Sequence, residues 1–263
     1  MNLGLKGRAA IVTGSSRGIG KAIARELAEE GAKVTVCARN EDSLKEAERE
    51  IEAATGADVL RIRADLNRAE DVRLLIAETY KTFGRVDILV NNTGGPPPAL
   101  FLATSEEDWR RTFAQLFMSV VFACREVAPY MKKERWGRII NMTSMAAKQP
   151  VENLVLSNAL RSGILGLTKT LSDEFARDNI LVNSVCPGYT LTERVQELAG
   201  AESQRTGRCV DEIVQDWAKA IPLRRMAQPK EIANLVVFLA SERASFITGV
   251  AFQVDGGWIR GII

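Results

Sequence analysis

The clearest chemical signal lies near the start of the chain, where Thr13-Gly14-Ser15-Ser16-Arg17-Gly18-Ile19-Gly20 joins an apolar run to a segment of helical period. Such a loop suits a phosphate chain: glycines let backbone come close, and the N–H groups of a first helical turn face the negative charge. Gly14 allows the tight turn, Gly18 the close approach, and Gly20 the packing of helix on sheet. Gly14, Ser16, Arg17, Gly18, Ile19 and Gly20 are thus candidates for holding a dinucleotide pyrophosphate. The spacing is G-x-x-x-G-x-G, distinct from the generic G-x-G-x-x-G.

The choice of dinucleotide follows from charge. A site for NAD places a carboxylate at the end of the second strand to hold the ribose 2′-hydroxyl. Here that stretch is Val36-Cys37-Ala38-Arg39-Asn40, without an acid. Arg39 and the loop residue Arg17 could clamp a 2′-phosphate instead, so NADP(H) is the expected cofactor.

Other chemistries are excluded or left open by composition. The 263 residues include no histidine, which removes Ser-His-Asp and Cys-His catalysis. Cys37, Cys124, Cys186 and Cys209 lie far apart without a C-x-x-C pair, so no metal site is expected and each cysteine reads as core filler. Proton chemistry is left to Tyr, Lys, Asp, Glu or a cofactor. A net charge of +2 gives no field for nucleic acid or an anionic membrane, and no apolar run approaches a membrane span. A cytoplasmic protein acting on small molecules is expected.

The elements that must position these residues alternate along the chain. Apolar runs of strand length fall at about Ala9–Val12, Lys33–Cys37, Asp58–Arg63, Ile88–Val90, Arg138–Met142, Leu181–Val185 and Ala251–Val254. Helical periodicity fills the gaps at Gly18–Glu30, Glu41–Ala54, Ala69–Phe83, Glu106–Lys132, Glu152–Arg177 and Pro229–Ala240. This order predicts an α/β fold: a Rossmann-type doubly wound parallel sheet of about seven strands with helices on both faces, in one domain spanning 1–263. Residues 190–221 carry dense charge, weaker periodicity and no strand, and are expected to form a substrate lid.

Later motifs extend the pattern: Asp65-Leu66, Asn91-Asn92-Thr93-Gly94, Asn141-Met142-Thr143-Ser144, Pro187-Gly188, Ile247-Thr248-Gly249 and Val254-Asp255-Gly256-Gly257. In this order and spacing the chain resembles the short-chain dehydrogenase/reductase superfamily over nearly its whole length, and within it the 3-oxoacyl-carrier-protein reductases. The resemblance implies that Asp65 and Leu66 meet the adenine, and that Asn92, Thr93, Gly94, Pro187, Gly188 and Thr190 complete the cofactor site. It also implies a homodimer or homotetramer, with apolar residues of Leu154–Leu167 and the ending Val254–Ile259 facing a neighbouring subunit.

The catalytic positions depart from the family. Its active site joins an Asn and a Ser to a Tyr-x-x-x-Lys on the next helix. Thirteen residues after Ser144, at the Tyr position, stands Ser157; four further on, at the Lys position, stands Arg161; at the Asn position, seven after Trp109, stands Leu116, read as core. The catalytic candidates are therefore Ser144, Ser157 and Arg161, the last two sharing a helix face. Serine lacks an acidic proton, and arginine, with a pKa above about 12, is not expected to relay one. Tyr189 and Lys148 are the substitute acids to weigh. Two functions follow: an NADP(H)-dependent oxidoreductase interconverting a ketone, 3-oxoacyl-like, and a secondary alcohol; or a non-catalytic NADP-binding sensor or structural subunit. Gly95-Pro96-Pro97-Pro98-Ala99-Leu100-Phe101 is expected to give the substrate pocket a stiff apolar wall.

Overall fold

Runs of Val, Ile, Leu and Ala bounded by turn residues form seven strands in the computed structural model, which describes residues 2–262. They are β1 (Ala9–Thr13), β2 (Lys33–Ala38), β3 (Val59–Arg63), β4 (Ile88–Asn91), β5 (Gly137–Met142), β6 (Ile180–Pro187) and β7 (Ala251–Val254). All pair in parallel, in the order β3-β2-β1-β4-β5-β6-β7. Parallel strands need both faces covered. One face packs on α1 (Gly18–Glu29), α2 (Glu41–Thr55) and α9 (Pro229–Ala240), through Ile23, Leu27, Leu44, Ile51, Ile232 and Val236. The other packs on α3 (Ala69–Phe83), α5 (Ser119–Glu134) and α6 (Val155–Phe175), through Leu75, Ile76, Val120, Val127 and Ile164.

The chain reverses its direction of travel across the sheet between β1 and β4. A crevice opens there beyond the carboxyl ends of the strands, which is where doubly wound sheets bind ligands.

Strand positions agree with the sequence reading to within a residue or two. The largest extension is β6, which runs on to Pro187 because Cys186 and Pro187 pair with Gln253 and Val254 of β7. The segment expected as one helix over Glu106–Lys132 is instead α4 (Glu106–Phe113), a π-helical turn (Ala114–Met118) and α5. Helix α6 starts at Val155, not Glu152, because Asn153 turns the chain through φ +60°, a left-handed conformation that asparagine tolerates. Residues 190–221 form two helices, α7 (Glu193–Thr206) and α8 (Val210–Ala220). Three cysteines are buried as expected, but Cys209 is exposed: it is the N-cap residue of α8, on the connection between these two helices, where no core exists to fill. No helix is long and apolar enough to cross a membrane among the described residues.

Candidate functional site

Beyond the carboxyl ends of β1 and β4, two loops are tied into one platform. The Asn92 backbone N–H donates to Thr13 Oγ1 (2.7 Å), and the Thr13 hydroxyl donates back to the Asn92 carbonyl (2.8 Å). The Asn92 side-chain amide donates to the carbonyls of Thr13 (3.2 Å) and Gly14 (3.0 Å). Gly14 itself sits at φ +56°, and a Cβ there would come within 2.7 Å of the Asn92 carbonyl oxygen. A Cβ on Gly20 would strike the Gly14 carbonyl, so the helix start packs on the strand end as the sequence implied. The result is a backbone-lined cradle at the start of α1, of the shape a pyrophosphate requires.

The next strand end is set by Ser15, whose hydroxyl donates to the Val12 carbonyl (2.6 Å) and accepts from the Cys37 N–H (3.0 Å). Arg39 follows β2 and lines the cavity with Asn40 and Ser43, with no carboxylate in ion-pair contact among the described residues. Arg17, the N-cap of α1, meets Glu197 of α7 at 3.5 Å. Asp65 and Leu66 lie beyond β3; the Asp65 N–H donates to Asp71 Oδ2 (2.9 Å), which fixes the turn.

At the other end of the crevice, a buried hydrogen-bond ladder runs from Asn91 to Asn141 to Thr168 to Ser184, each step 2.8 Å. It pins α6 to β4, β5 and β6. Above it stand Ser144, Ser157 and Arg161. The Ser144 hydroxyl accepts from the Ala146 N–H (3.1 Å), leaving its proton free to donate. Ser157 is buried, and its hydroxyl makes no hydrogen bond among the described residues while lining the cavity. Arg161 is only 6% exposed, and its Nη1 donates to the carbonyls of Met142 (3.3 Å) and Thr143 (2.9 Å). Burial, with the charge of Arg194 on the same cavity, pulls its pKa down to about 10. The sequence reading expected the higher, ordinary guanidinium value; the group stays charged at neutral pH all the same.

One cavity of about 740 Å³ joins these parts. Every candidate residue, from Gly14 and the rest of its loop through Arg39, Asp65, Leu66, Asn92, Thr93 and Gly94 to Ser144, Ser157, Arg161, Pro187, Gly188 and Thr190, lines it. Leu116 is core at 1% exposure, as expected.

The two substitute acids fare poorly. Lys148 follows the short turn after Ser144 and does not line the cavity. Tyr189 does, but its ring stacks on Trp217 of α8 (5.0 Å) and meets Trp258 edge-on (6.4 Å). Burial pushes its phenol up to about 12, which weakens it as an acid.

Three site residues escaped the sequence reading. Gln115 sits in the π-helical turn and donates from Nε2 to the Gly94 carbonyl (2.9 Å); such turns favour functional positions, but their extra residue leaves no mark in an apolar period. Arg194 of α7 donates to the Pro96 carbonyl on the opposite wall, and Thr192 packs over Gly18. In the sequence both lie in a charge-dense stretch where they resemble ordinary surface residues. The expected apolar wall is partly turned outward: Gly95 lines the cavity, whereas Leu100 and Phe101 are exposed.

Comparison with known proteins adds an independent line. Residues 14–259 match a family described as enoyl-(acyl carrier protein) reductase. The chain is 35% identical over 257 residues to the 3-oxoacyl-(acyl-carrier-protein) reductase of Aquifex aeolicus, covering 98% of this chain and 99% of that one. Among solved structures, it superimposes on L-sorbose reductase from Gluconobacter frateurii, complexed with NADPH and L-sorbose, with a TM-score of 0.94, 35% identity and full coverage of both chains. A short-chain type dehydrogenase/reductase from Mycobacterium marinum gives a TM-score of 0.90 at 32% identity, covering 99% of this chain and 98% of that one.

Proposed function

The chain belongs to the short-chain dehydrogenase/reductase superfamily, and from that premise we propose an NADP(H)-dependent oxidoreductase that interconverts a ketone, 3-oxoacyl-like, and a secondary alcohol. One observation carries the reading: a single cavity holds a phosphate cradle and two arginines at one end, and two serine hydroxyls with a buried cation at the other. The chain binds NADP(H). Gly14 and Gly18 meet its pyrophosphate, Arg17 and Arg39 its 2′-phosphate, and Asp65 and Leu66 its adenine. Residues 190–221 act as the lid of one cytoplasmic, dinucleotide-binding domain, assembled as a homodimer or homotetramer. The exposed Phe246 and Val250 beside the edge strand β7 support that assembly.

When bound, NADPH supplies a hydride for the carbonyl carbon. The Ser144 and Ser157 hydroxyls donate hydrogen bonds to the carbonyl oxygen as negative charge grows there. The Arg161 guanidinium, held by the Met142 and Thr143 carbonyls, favours that charge through its positive field. A proton reaches the oxygen from water through Ser157, the one catalytic hydroxyl without a protein partner among the described residues. Such donors are worth about 10²–10³ in rate, while a well-placed acid would add about 10²–10⁴. Turnover is therefore slower than in members that keep the Tyr-x-x-x-Lys pair.

A second reading, a non-catalytic NADP-binding sensor or structural subunit, draws on the aromatic packing of Tyr189, which leaves the cavity without an available phenol. Binding of NADPH and NADH, followed by NADPH oxidation against 3-oxoacyl esters, diketones and aldehydes, separates the two. Turnover supports the reductase, tight binding without turnover supports the sensor, and absence of binding overturns both.

A further inference from the structure

We propose that the ketone taken by this site carries its own carboxylate, gripped by Arg161 from the floor of the cavity and by Arg194 from α7. This rests on the reductase reading above and narrows it from neutral acyl compounds to short oxo acids.

The first observation is a guanidinium with three of its five N–H donors unused. Only Nη1 of Arg161 is engaged, by the Met142 and Thr143 carbonyls. Its Nε and Nη2 make no hydrogen bond among the described residues, yet they are not among the polar atoms sealed from all partners, so they open on the cavity. The Nε–Nη2 edge is the fork that receives the two oxygens of a carboxylate side by side.

The second is the absence of a countercharge at that end. Arg161 has no ion pair among the described residues, although it is buried. Three acids line the cavity, and none serves it. Asp65 lies at the adenine end beyond β3, Glu193 stands by Gly18, and Glu197 is already shared by Arg17 and Arg194.

The third is convergence. Arg194 lines the same cavity as Arg161, crossing from α7 to donate to the Pro96 carbonyl while it pairs with Glu197. Two buried or half-buried cations facing one cavity repel each other, and an anion between them relieves both that repulsion and the desolvation of Arg161. Ser157 lies four residues before Arg161 on the same face of α6, so a carbonyl at Ser157 and a carboxylate at Arg161 belong to one short molecule.

The test measures binding of acetoacetate, 4-oxopentanoate and their methyl esters to the NADP⁺-saturated protein by calorimetry, with NADPH oxidation followed on the same compounds. Acids are expected to bind about tenfold or more tightly than their esters. Arg194→Gln and Arg161→Gln should each shrink that preference, and Arg161→Lys should keep part of it; the surface position of α7 makes Arg194→Gln the variant that folds regardless. Equal binding of acid and ester, no binding of acids, an acid preference that survives Arg194→Gln, or a loss of NADPH affinity as large as the loss of acid affinity each overturns the proposal. Turnover is read separately: acid binding without turnover keeps the anion site and overturns the reductase, while ester turnover without acid preference does the reverse.

Discussion

Arg17, at the N-cap of α1, stands 3.5 Å from Glu197 of α7, so a residue of the proposed phosphate clamp also touches the proposed lid. A 2′-phosphate held by Arg17 competes with Glu197 for the same guanidinium. Arg17→Ala and Arg39→Ala should each weaken NADPH by about 10- to 100-fold, the worth of one charge-assisted hydrogen bond, and leave NADH nearly unchanged. Glu197→Gln should strengthen NADPH several-fold at most, since the pair is half exposed and worth about 1 kcal/mol or less. Titration of NADPH fluorescence checks all three.

Gly20→Ala sets a methyl group against the Gly14 carbonyl and the Asn92 amide. Neither can yield without breaking the bonds that join the two loops. The expected cost is about 1–3 kcal/mol of stability, the usual penalty of overpacking, together with loss of NADPH binding. Denaturant unfolding and the same fluorescence titration report the two effects.

Restoring the family pair tests the catalytic account. Ser157→Tyr with Arg161→Lys places a phenol and an amine where the cavity opens. The double variant should raise kcat by about 10²–10⁴ on a neutral 3-oxoacyl ester, because it supplies the acid that the proposed mechanism draws from water. Ser157→Ala alone should lower kcat by about 10²-fold with little change in KM, as expected for a donor used in the transition state.

The depressed pKa of Arg161 gives a pH dependence. The folded protein binds this proton less tightly than the unfolded chain, with a pKa of about 10, well below the ordinary guanidinium value. Its charge therefore costs stability below about pH 10, and that cost is relieved as pH rises through about 10 towards the ordinary guanidinium value. Binding of an oxo acid should weaken over the same interval, and the Arg161→Gln variant should not show the fall. Calorimetry at pH 8 and at pH values above about 10 decides this.

Far from the cavity, at the amino ends of the strands, Asp87 is fully buried. It accepts from Arg85 Nε (2.6 Å) and Nη2 (2.7 Å), Arg8 Nη1 (3.2 Å) and the Ala9 N–H (2.8 Å). Asp87→Ala strands the buried Ala9 N–H and the Arg85 cation, while Arg8 keeps its pair with Glu242. Because both arginines retain some solvent, a loss of about 2–4 kcal/mol is expected, below or within the 3–5 of a fully buried pair. Affinity for NADPH should be retained, which separates this structural role from the functional site.

Much of the fold was legible because its signals are local. Each strand is a short apolar run, each helix an apolar stripe, and the Gly14–Gly20 loop states its own backbone demands, so β1, β4 and α1 fall where the residues place them. The irregularities were hidden for the same reason. Nothing in Glu106–Lys132 marks the π-helical turn that aims Gln115 at Gly94, and Cys209 looks like any other small apolar residue until α7 and α8 leave it outside.

The sequence by itself determined the parallel sheet, the glycine-rich loop, the absence of an acid after β2 and the spacing of Ser157 and Arg161 on one helix face. These depend on residue type and spacing along one chain. Only the tertiary structure decided which charges lack partners. That Arg161 keeps an unused edge, that Arg194, more than thirty positions away in the chain, lines the same cavity, and that Tyr189 stacks on Trp217 and meets Trp258 edge-on are matters of distance across the fold. Pairing energies depend on separation and burial, and neither is written in the order of residues.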